Sequence, residues 1–363
     1  MRSINHRNSI FCILPPHILV EIAKNGTKAQ REAAVLTLGT DHTIRTSRLS
    51  FSLLGGLQVP HMEAAGAATP QKQRTIYDCG QSQNLPGKMV RSEGDAAVAD
   101  SSVNEAYDGL GDTFNFYFDA YQRNSIDNRG LPMKASVHFG ENYDNAFWNG
   151  QQMIFGDGDK EIFTGFTASL DVIGHELTHG VTGSEANLNY QGQSGALNES
   201  ISDVFGSLVK QKKLNQTADV ADWLIGAGIL APGIAGTALR SMKAPGTAYN
   251  DPTLGKDPQP ADMAHYLKTT QDNGGVHINS GIPNRAFYLV ATALGGYAWL
   301  KAGQIWYDTL LDPRLKASAD FASFANLTAI NGSRRYGSGG VEQKAVLAAW
   351  KTVGVTVSTS AAG

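Results

Sequence analysis

A chain of 363 residues is long enough to bury a sizeable core and to divide into lobes. Thirty Lys+Arg against thirty-three Asp+Glu leave a net charge of −3, too balanced to mark nucleic acid or an anionic membrane as partner. Two cysteines, Cys12 and Cys79, make no disulfide framework, and the longest apolar stretch, about 286–300, is shorter than a bilayer span.

Residues 1 to about 60 differ in composition from the rest of the chain. Arg2, His6 and Arg7 resemble the basic start of a secretory signal, but the apolar block Ile10 to Leu14 is too short and Pro15-Pro16 stops it. A helical stretch from Ile18 to Ala34 comes next, then a basic, hydroxyl-rich run from Thr40 to Ser50. Residues 60–75 are small and polar, which reads as an exposed linker. From about 75 to 165, short runs such as Thr75–Asp78 and Lys134–Phe139 predict a β-rich lobe, with the turn residues Pro86-Gly87 between two of them and a helix over 106–123. From about 180 to 358 the pattern is mostly helical, broken by a Pro/Gly/Asp loop over 245–262, and the apolar stretch 286–300 reads as one buried helix.

Between the lobes stands His175-Glu176-Leu177-Thr178-His179. Val172, Ile173, Leu177 and Val181 supply apolar positions at helical spacing, and Gly183 is a terminator. On a helix His175 and His179 share a face, so two imidazoles reach one ion while Glu176 holds a carboxylate beside it. A second helix, over 196–211, carries Glu199 and Asp203, again four apart: one carboxylate to bind the metal, another to accept the free N–H of a ligand histidine. Three protein ligands leave a position for water, the open geometry of a catalytic zinc.

HELTH, the downstream Asn198-Glu199-Ser200-Ile201-Ser202-Asp203, and Asp272-Asn273-Gly274-Gly275-Val276-His277-Ile278-Asn279-Ser280-Gly281 together resemble the thermolysin family of metalloproteases. Asn145-Ala146-Phe147-Trp148-Asn149-Gly150 and Gly156-Asp157-Gly158-Asp159 match it as well, and the resemblance runs from about 75 to 355. It implies an α+β, two-lobed metalloprotease: a β-rich N-terminal lobe over 61–180 ending in the zinc helix, and a mainly helical C-terminal lobe over 181–363. It implies His175, His179 and Glu199 as ligands of one zinc ion, Glu176 as general base, and Asp203 as the residue that orients His175. Tyr190 and His277 match the family's oxyanion donors, and Asp272 the carboxylate that fixes His277. Arg240 matches the arginine that grips a substrate carbonyl, and Asn145 with Ala146 the edge strand that pairs with an extended peptide. Phe163, Phe166, Val172 and Leu239 fall where the family builds an apolar pocket for the residue after the cut, so large hydrophobic side chains are expected there.

One departure stands out. Where family members with a double calcium site place an acid on the Glu199 helix, this chain has Lys210. An ammonium cannot ligate calcium, so no double calcium site is expected, and an ion pair with Asp171 replaces it. The Gly156–Asp159 turn is expected to bind no cation of its own. Cys12-Ile13-Leu14-Pro15-Pro16-His17-Ile18-Leu19 resembles the short propeptide of the protealysin-like branch. That resemblance implies a propeptide over 1–60, its end between 45 and 75, folded on the cleft as an intramolecular inhibitor; Cys12 is expected as a small packed residue rather than a zinc latch. The expected protein is a monomer acting on protein or peptide substrates, with its location open between non-standard export and retention.

Overall fold

The computed structural model describes residues 11–53 and 70–358; the N-terminal basic residues and most of the 60–75 linker lie outside them. The chain enters through a short strand, β1 (Phe11–Cys12), and two helices, α1 (Pro16–Asn25) and α2 (Lys28–Leu53). Pro15 and Pro16 set the start of α1, because proline at the first helical position forfeits no hydrogen bond. The expected single helix over 18–34 is divided at Gly26, and the hydroxyl-rich run beyond Thr40 continues α2 instead of leaving it.

Strands β2 (Arg74–Asp78), β3 (Lys88–Ser92), β4 (Met133–Val137), β5 (Ala146–Trp148) and β6 (Met153–Phe155) join β1 in a six-stranded sheet of order β1-β5-β6-β4-β2-β3. The β2–β4 and β4–β6 pairs are parallel and the others antiparallel. Strands β5 and β6 are buried at every position, so apolar residues run continuously there in place of alternating. Helix α3 (Ser101–Tyr121) begins earlier than its apolar pattern announces, because the Asp100 side chain caps it by accepting the N–H groups of Ser102 and Val103. Val103, Ala106, Leu110, Phe114 and Tyr117 form its buried face.

Helices α4 (Leu170–Ser184) and α5 (Gly192–Lys213) follow, then the hairpin β7 (Leu224–Ile225) with β8 (Arg240–Ser241), which sets Arg240 opposite Ile225. Helices α6 (Asp272–Asn279), α7 (Gly281–Leu294), α8 (Ala302–Leu310), α9 (Phe321–Tyr336) and α10 (Val341–Thr352) complete a helical lobe. The architecture is the expected α+β one. The apolar stretch over 286–300, however, is not one helix: α7 stops at Leu294, where Gly295 and Gly296 turn the backbone, and a separate turn carries Tyr297 to Leu300. No helix of the described residues is long and apolar enough to cross a membrane.

His138 ties the start of α3 to the turn after β6. Its backbone is left-handed (φ 53), its Nε2 lies 2.8 Å from the Asp100 carboxylate that caps α3, and its Nδ1 lies 2.8 Å from Asp157. The bond to Asp157, opposed by burial and reinforced by Asp100, pushes the imidazole up to about 9 from 6.5. A raised histidine stabilises fully below its ordinary value and loses that contribution as pH climbs through the folded one. His138→Asn tolerates the left-handed backbone but cannot bridge both acids. It is expected to cost about 1–2 kcal/mol near pH 6, after allowance for solvent screening, and less above about pH 9, as read by thermal denaturation. A cost that is equal at both pH values would refute the charged bridge.

Candidate active site

Helix packing brings the candidate ligands together. At Gly206 of α5 an added Cβ would stand 2.4 Å from the Asp171 carbonyl oxygen of α4, so only glycine lets the two helices approach this closely. The ligand atoms of His175, His179 and Glu199 then all lie within 4.8 Å of one another, fully buried. His175 Nε2 and His179 Nε2 are 3.0 Å apart, and each lies 3.5 Å from a Glu199 oxygen.

The far side of each imidazole decides what the near side does. His175 Nδ1 faces Asp203 Oδ1 at 2.8 Å, and His179 Nδ1 faces the Asn198 side-chain oxygen at 2.8 Å and Ser202 Oγ at 3.0 Å. A carboxylate and an amide oxygen are acceptors, so the N–H groups sit on the Nδ1 atoms and both Nε2 atoms present lone pairs to each other. Burial, and then His175, hold His179 well below the usual imidazole range, which keeps it a neutral ligand. Glu199 Oε2 is buried with no hydrogen-bond partner. Two opposed lone pairs and an orphaned carboxylate oxygen in a dry site call for a cation, and this donor set suits zinc.

Around this cradle the expected residues converge. Glu176 Oε2 accepts the Trp148 N–H at 2.9 Å while its Oε1 is buried and unpartnered; burial and then Glu199 push its carboxyl well above the usual range. Tyr190 hydrogen-bonds to Glu199 Oε1 through its hydroxyl, which lies 3.1 Å from His277 Nε2. Asp272 Oδ1 lies 2.6 Å from His277 Nδ1, and its Oδ2 accepts the His277 N–H at 2.9 Å. That double grip depends on a left-handed run over Asp272, Asn273, Gly274 and Gly275 (φ 50, 50, 84 and 75), which explains the Asp-Asn-Gly-Gly sequence. Burial opposes charge on His277, but Asp272 and then Glu199 outweigh it and raise its pKa.

Arg240 divides its guanidinium. Nε and Nη2 bind Asp203 at 2.9 and 2.8 Å, and Nη1 donates to the Ile13 carbonyl at 2.9 Å. The N-terminal strand lies in the cleft: β1 pairs antiparallel with β5, the Ile13 N–H donates to the Ala146 carbonyl at 3.2 Å, and the Leu14 N–H to Asn145 Oδ1 at 3.1 Å. The Cys12 carbonyl oxygen lies 3.1 Å from His277 Nε2. Cys12 itself is buried beside Phe139, Tyr143 and Phe147, and neither cysteine is in a disulfide. Phe163, Phe166, Val172 and Leu239 are buried in the apolar cluster that also holds Ile13.

The expected Lys210–Asp171 ion pair is present. Lys210 Nζ lies 2.7 Å from Asp171 Oδ2, 3.0 Å from Asp222 Oδ1 and 2.8 Å from the Leu224 carbonyl. Asp222 and Leu224 escaped the sequence reading, as did Asn198, Ser202 and Asn284, whose Nδ2 donates to Asp203 Oδ2 at 2.8 Å. A signal for Asn198 and Ser202 existed. They stand four apart on α5, and a second ligand histidine always needs an acceptor.

Residues 61–183 match the catalytic domain of thermolysin metallopeptidase, and residues 186–355 its alpha-helical domain. An extracellular metalloprotease of Pectobacterium carotovorum subsp. carotovorum is 53% identical over 348 residues, covering 96% of this chain and 97% of its own. Protease PrtS of Photorhabdus sp. (strain Az29) is 48% identical over 95% of this chain and 92% of its own. The solved precursor of protealysin, a metalloproteinase from Serratia proteamaculans, is similar with a TM-score of 0.86 at 55% identity, over 95% of this chain and all of that one. Fold, donor set and relatives define a metalloendopeptidase. The chain belongs to the thermolysin family, whose members depend on zinc.

Asn198→Ala is expected to weaken zinc binding about 10- to 100-fold, read as zinc retained against a graded chelator. Unchanged retention would mean that Asn198 does not orient His179.

Proposed function

We propose that the chain is the autoinhibited precursor of a zinc endopeptidase, with residues 1–60 as propeptide (end between 45 and 75) and catalytic lobes over 61–180 and 181–363. The observation that carries the reading is the seating of residues 12–14. Their peptide groups meet His277, Ala146, Arg240 and Asn145 as those of an extended substrate would, with the Cys12–Ile13 bond beside the metal cradle. Ile13 follows that bond, which supports a preference for large apolar residues in the pocket of Phe163, Phe166, Val172 and Leu239. The same contacts withhold the edge strand from any other peptide. Relatives described as extracellular support action outside the cell.

Zinc held by His175, His179 and Glu199 would supply the Lewis acid that polarises the scissile carbonyl and acidifies water. Glu176, held by Trp148 and raised in basicity by burial, takes the proton of the attacking water and delivers it to the leaving amine. The Tyr190 hydroxyl and His277 Nε2–H donate to the oxyanion, with Asp272 keeping the imidazole aimed. Arg240 fixes the next carbonyl along, and Asp203 fixes both Arg240 and His175.

Glu176→Gln is expected to lower casein hydrolysis by at least about a thousandfold while zinc content stays unchanged. Intact-mass measurement over time should find wild type shortening and the variant intact if maturation is self-inflicted. Full activity in the variant would end the proposed mechanism.

The family resemblance puts an acid of the double calcium site where this chain has Lys210, which pairs with Asp171 and Asp222, so we infer that the mature enzyme holds no double calcium site. Lys210→Met leaves Asp171 buried without its counter-charge, an expected loss of about 3 kcal/mol in thermal unfolding. Added calcium is expected to leave the wild-type melting temperature unmoved; a clear rise would contradict the inference.

A further inference from the structure

Helix α2 inverts the usual pattern of a helix packed on a lobe. Ala33, Ala34, Thr37 and Asp41 recur at helical spacing and are buried, whereas Val35 and Leu36 are 58% and 62% exposed. A buried carboxylate destabilises unless donors meet it. For Asp41 the loop between β4 and β5 supplies them: the Tyr143 hydroxyl donates to Oδ1 at 2.5 Å, and Asn145 Nδ2 donates to Oδ2 at 3.0 Å. Thr37 Oγ1 accepts the Asp144 N–H at 3.0 Å, so three successive residues of that loop bind one face of α2.

Asn145 faces both ways. Its Oδ1 accepts the Leu14 N–H at 3.1 Å and the Ala146 N–H at 3.0 Å, while its Nδ2 donates to Asp41. A carboxylate only accepts, so the amide cannot turn over without setting its NH2 against two N–H groups and its oxygen against an anion. Donation to that anion also draws charge onto the amide oxygen, which makes it the stronger acceptor for the Leu14 N–H. We propose that Asp41 is a positioning residue of the blocked state: through the Asn145 amide it strengthens the hold on residues 13 and 14, so that α2 and β1 seat cooperatively. This rests on the reading of residues 1–60 as an inhibitory propeptide.

The other grips on residues 12–14, from His277, Ala146 and Arg240, come from elsewhere in the lobes, so Asp41 tunes the block and does not create it. Departure of α2 from the loop loosens the strand in the cleft while those grips are still in place. Residue 41 precedes every position considered for the cut, so the matured enzyme keeps Asn145 without its anionic partner. It then holds the same backbone, or a substrate's, with the amide alone.

Asp41→Ala carries its own control, because maturation removes residue 41 and leaves an enzyme of wild-type sequence. The zinc-loaded full chain is assayed on a short quenched peptide, with initial rates taken while mass measurement still finds the precursor intact. Each rate is divided by that of the same preparation after maturation. This leak is expected to rise about tenfold in Asp41→Ala, since a charge-assisted hydrogen bond to the blocked state is lost and the open fraction grows in proportion. In an Asn145→Ala background, where the amide is gone, Asp41→Ala is expected to change the leak by no more than about twofold. An unchanged leak in the wild-type background overturns the proposal. An equal rise in both backgrounds overturns the route through Asn145 and leaves α2 a simple anchor. Should Asp41→Ala fail to fold, Asp41→Asn, of the same shape without the charge, must raise the leak at least about threefold where Asn145 is present, and no rise overturns the proposal. A wild-type precursor as active as its matured form overturns the autoinhibition reading itself, whatever Asp41 does.

Discussion

Two imidazole Nε2 atoms 3.0 Å apart, buried beside the Glu199 carboxylate, form a donor set that a cation would tie together. Much of the surrounding structure serves to impose that arrangement. The close approach of α4 and α5 at Gly206 sets the spacing, and Asp203 and Asn198 fix the tautomers. Asp203 is itself buried, and accepts from His175, twice from Arg240, and from Asn284 on α7. A buried carboxylate satisfied on every side is costly to disturb, because removing one partner strands the rest of the network. The metal cradle is therefore preorganised, and folding of the helical lobe completes it.

The N-terminal strand answers a different constraint. Without β1, β5 is an edge with unpaired N–H and C=O groups, which invites any extended chain to add a strand. On the proposed reading, a substrate takes that edge. In the intact chain the edge is satisfied from within, and α2 reinforces the seating through Thr37 and Asp41 on the loop that carries Asn145.

What the sequence disclosed depends on how local each signal is. His175, Glu176 and His179 are related by one helical turn, and Asp272 to His277 by a single left-handed bend, so short patterns carry them whole. Lys210 was legible because an ammonium conflicts with calcium ligation where the family resemblance implies an acid, and its pairing with Asp171 is present in the fold. Asn284 was not, since only the packing of α7 against α5 aims its amide at Asp203. The division of the 286–300 stretch was missed because hydrophobicity alone cannot tell one buried helix from a helix and a half-buried turn; Gly295-Gly296 decided it. The hydrogen bond from the Asp159 N–H to Asp144 Oδ1 joins two loops and leaves no periodicity to read.

Asp203 serves a metal ligand through His175 and a peptide-gripping group through Arg240. On the proposed roles, the ion and the bound segment are thermodynamically linked, and such coupling is reciprocal. Whatever factor the segment adds to retention of the ion, the ion adds to retention of the segment. The precursor then holds its zinc more firmly than the mature enzyme does, and stripping the ion loosens the very strand that blocks the cleft.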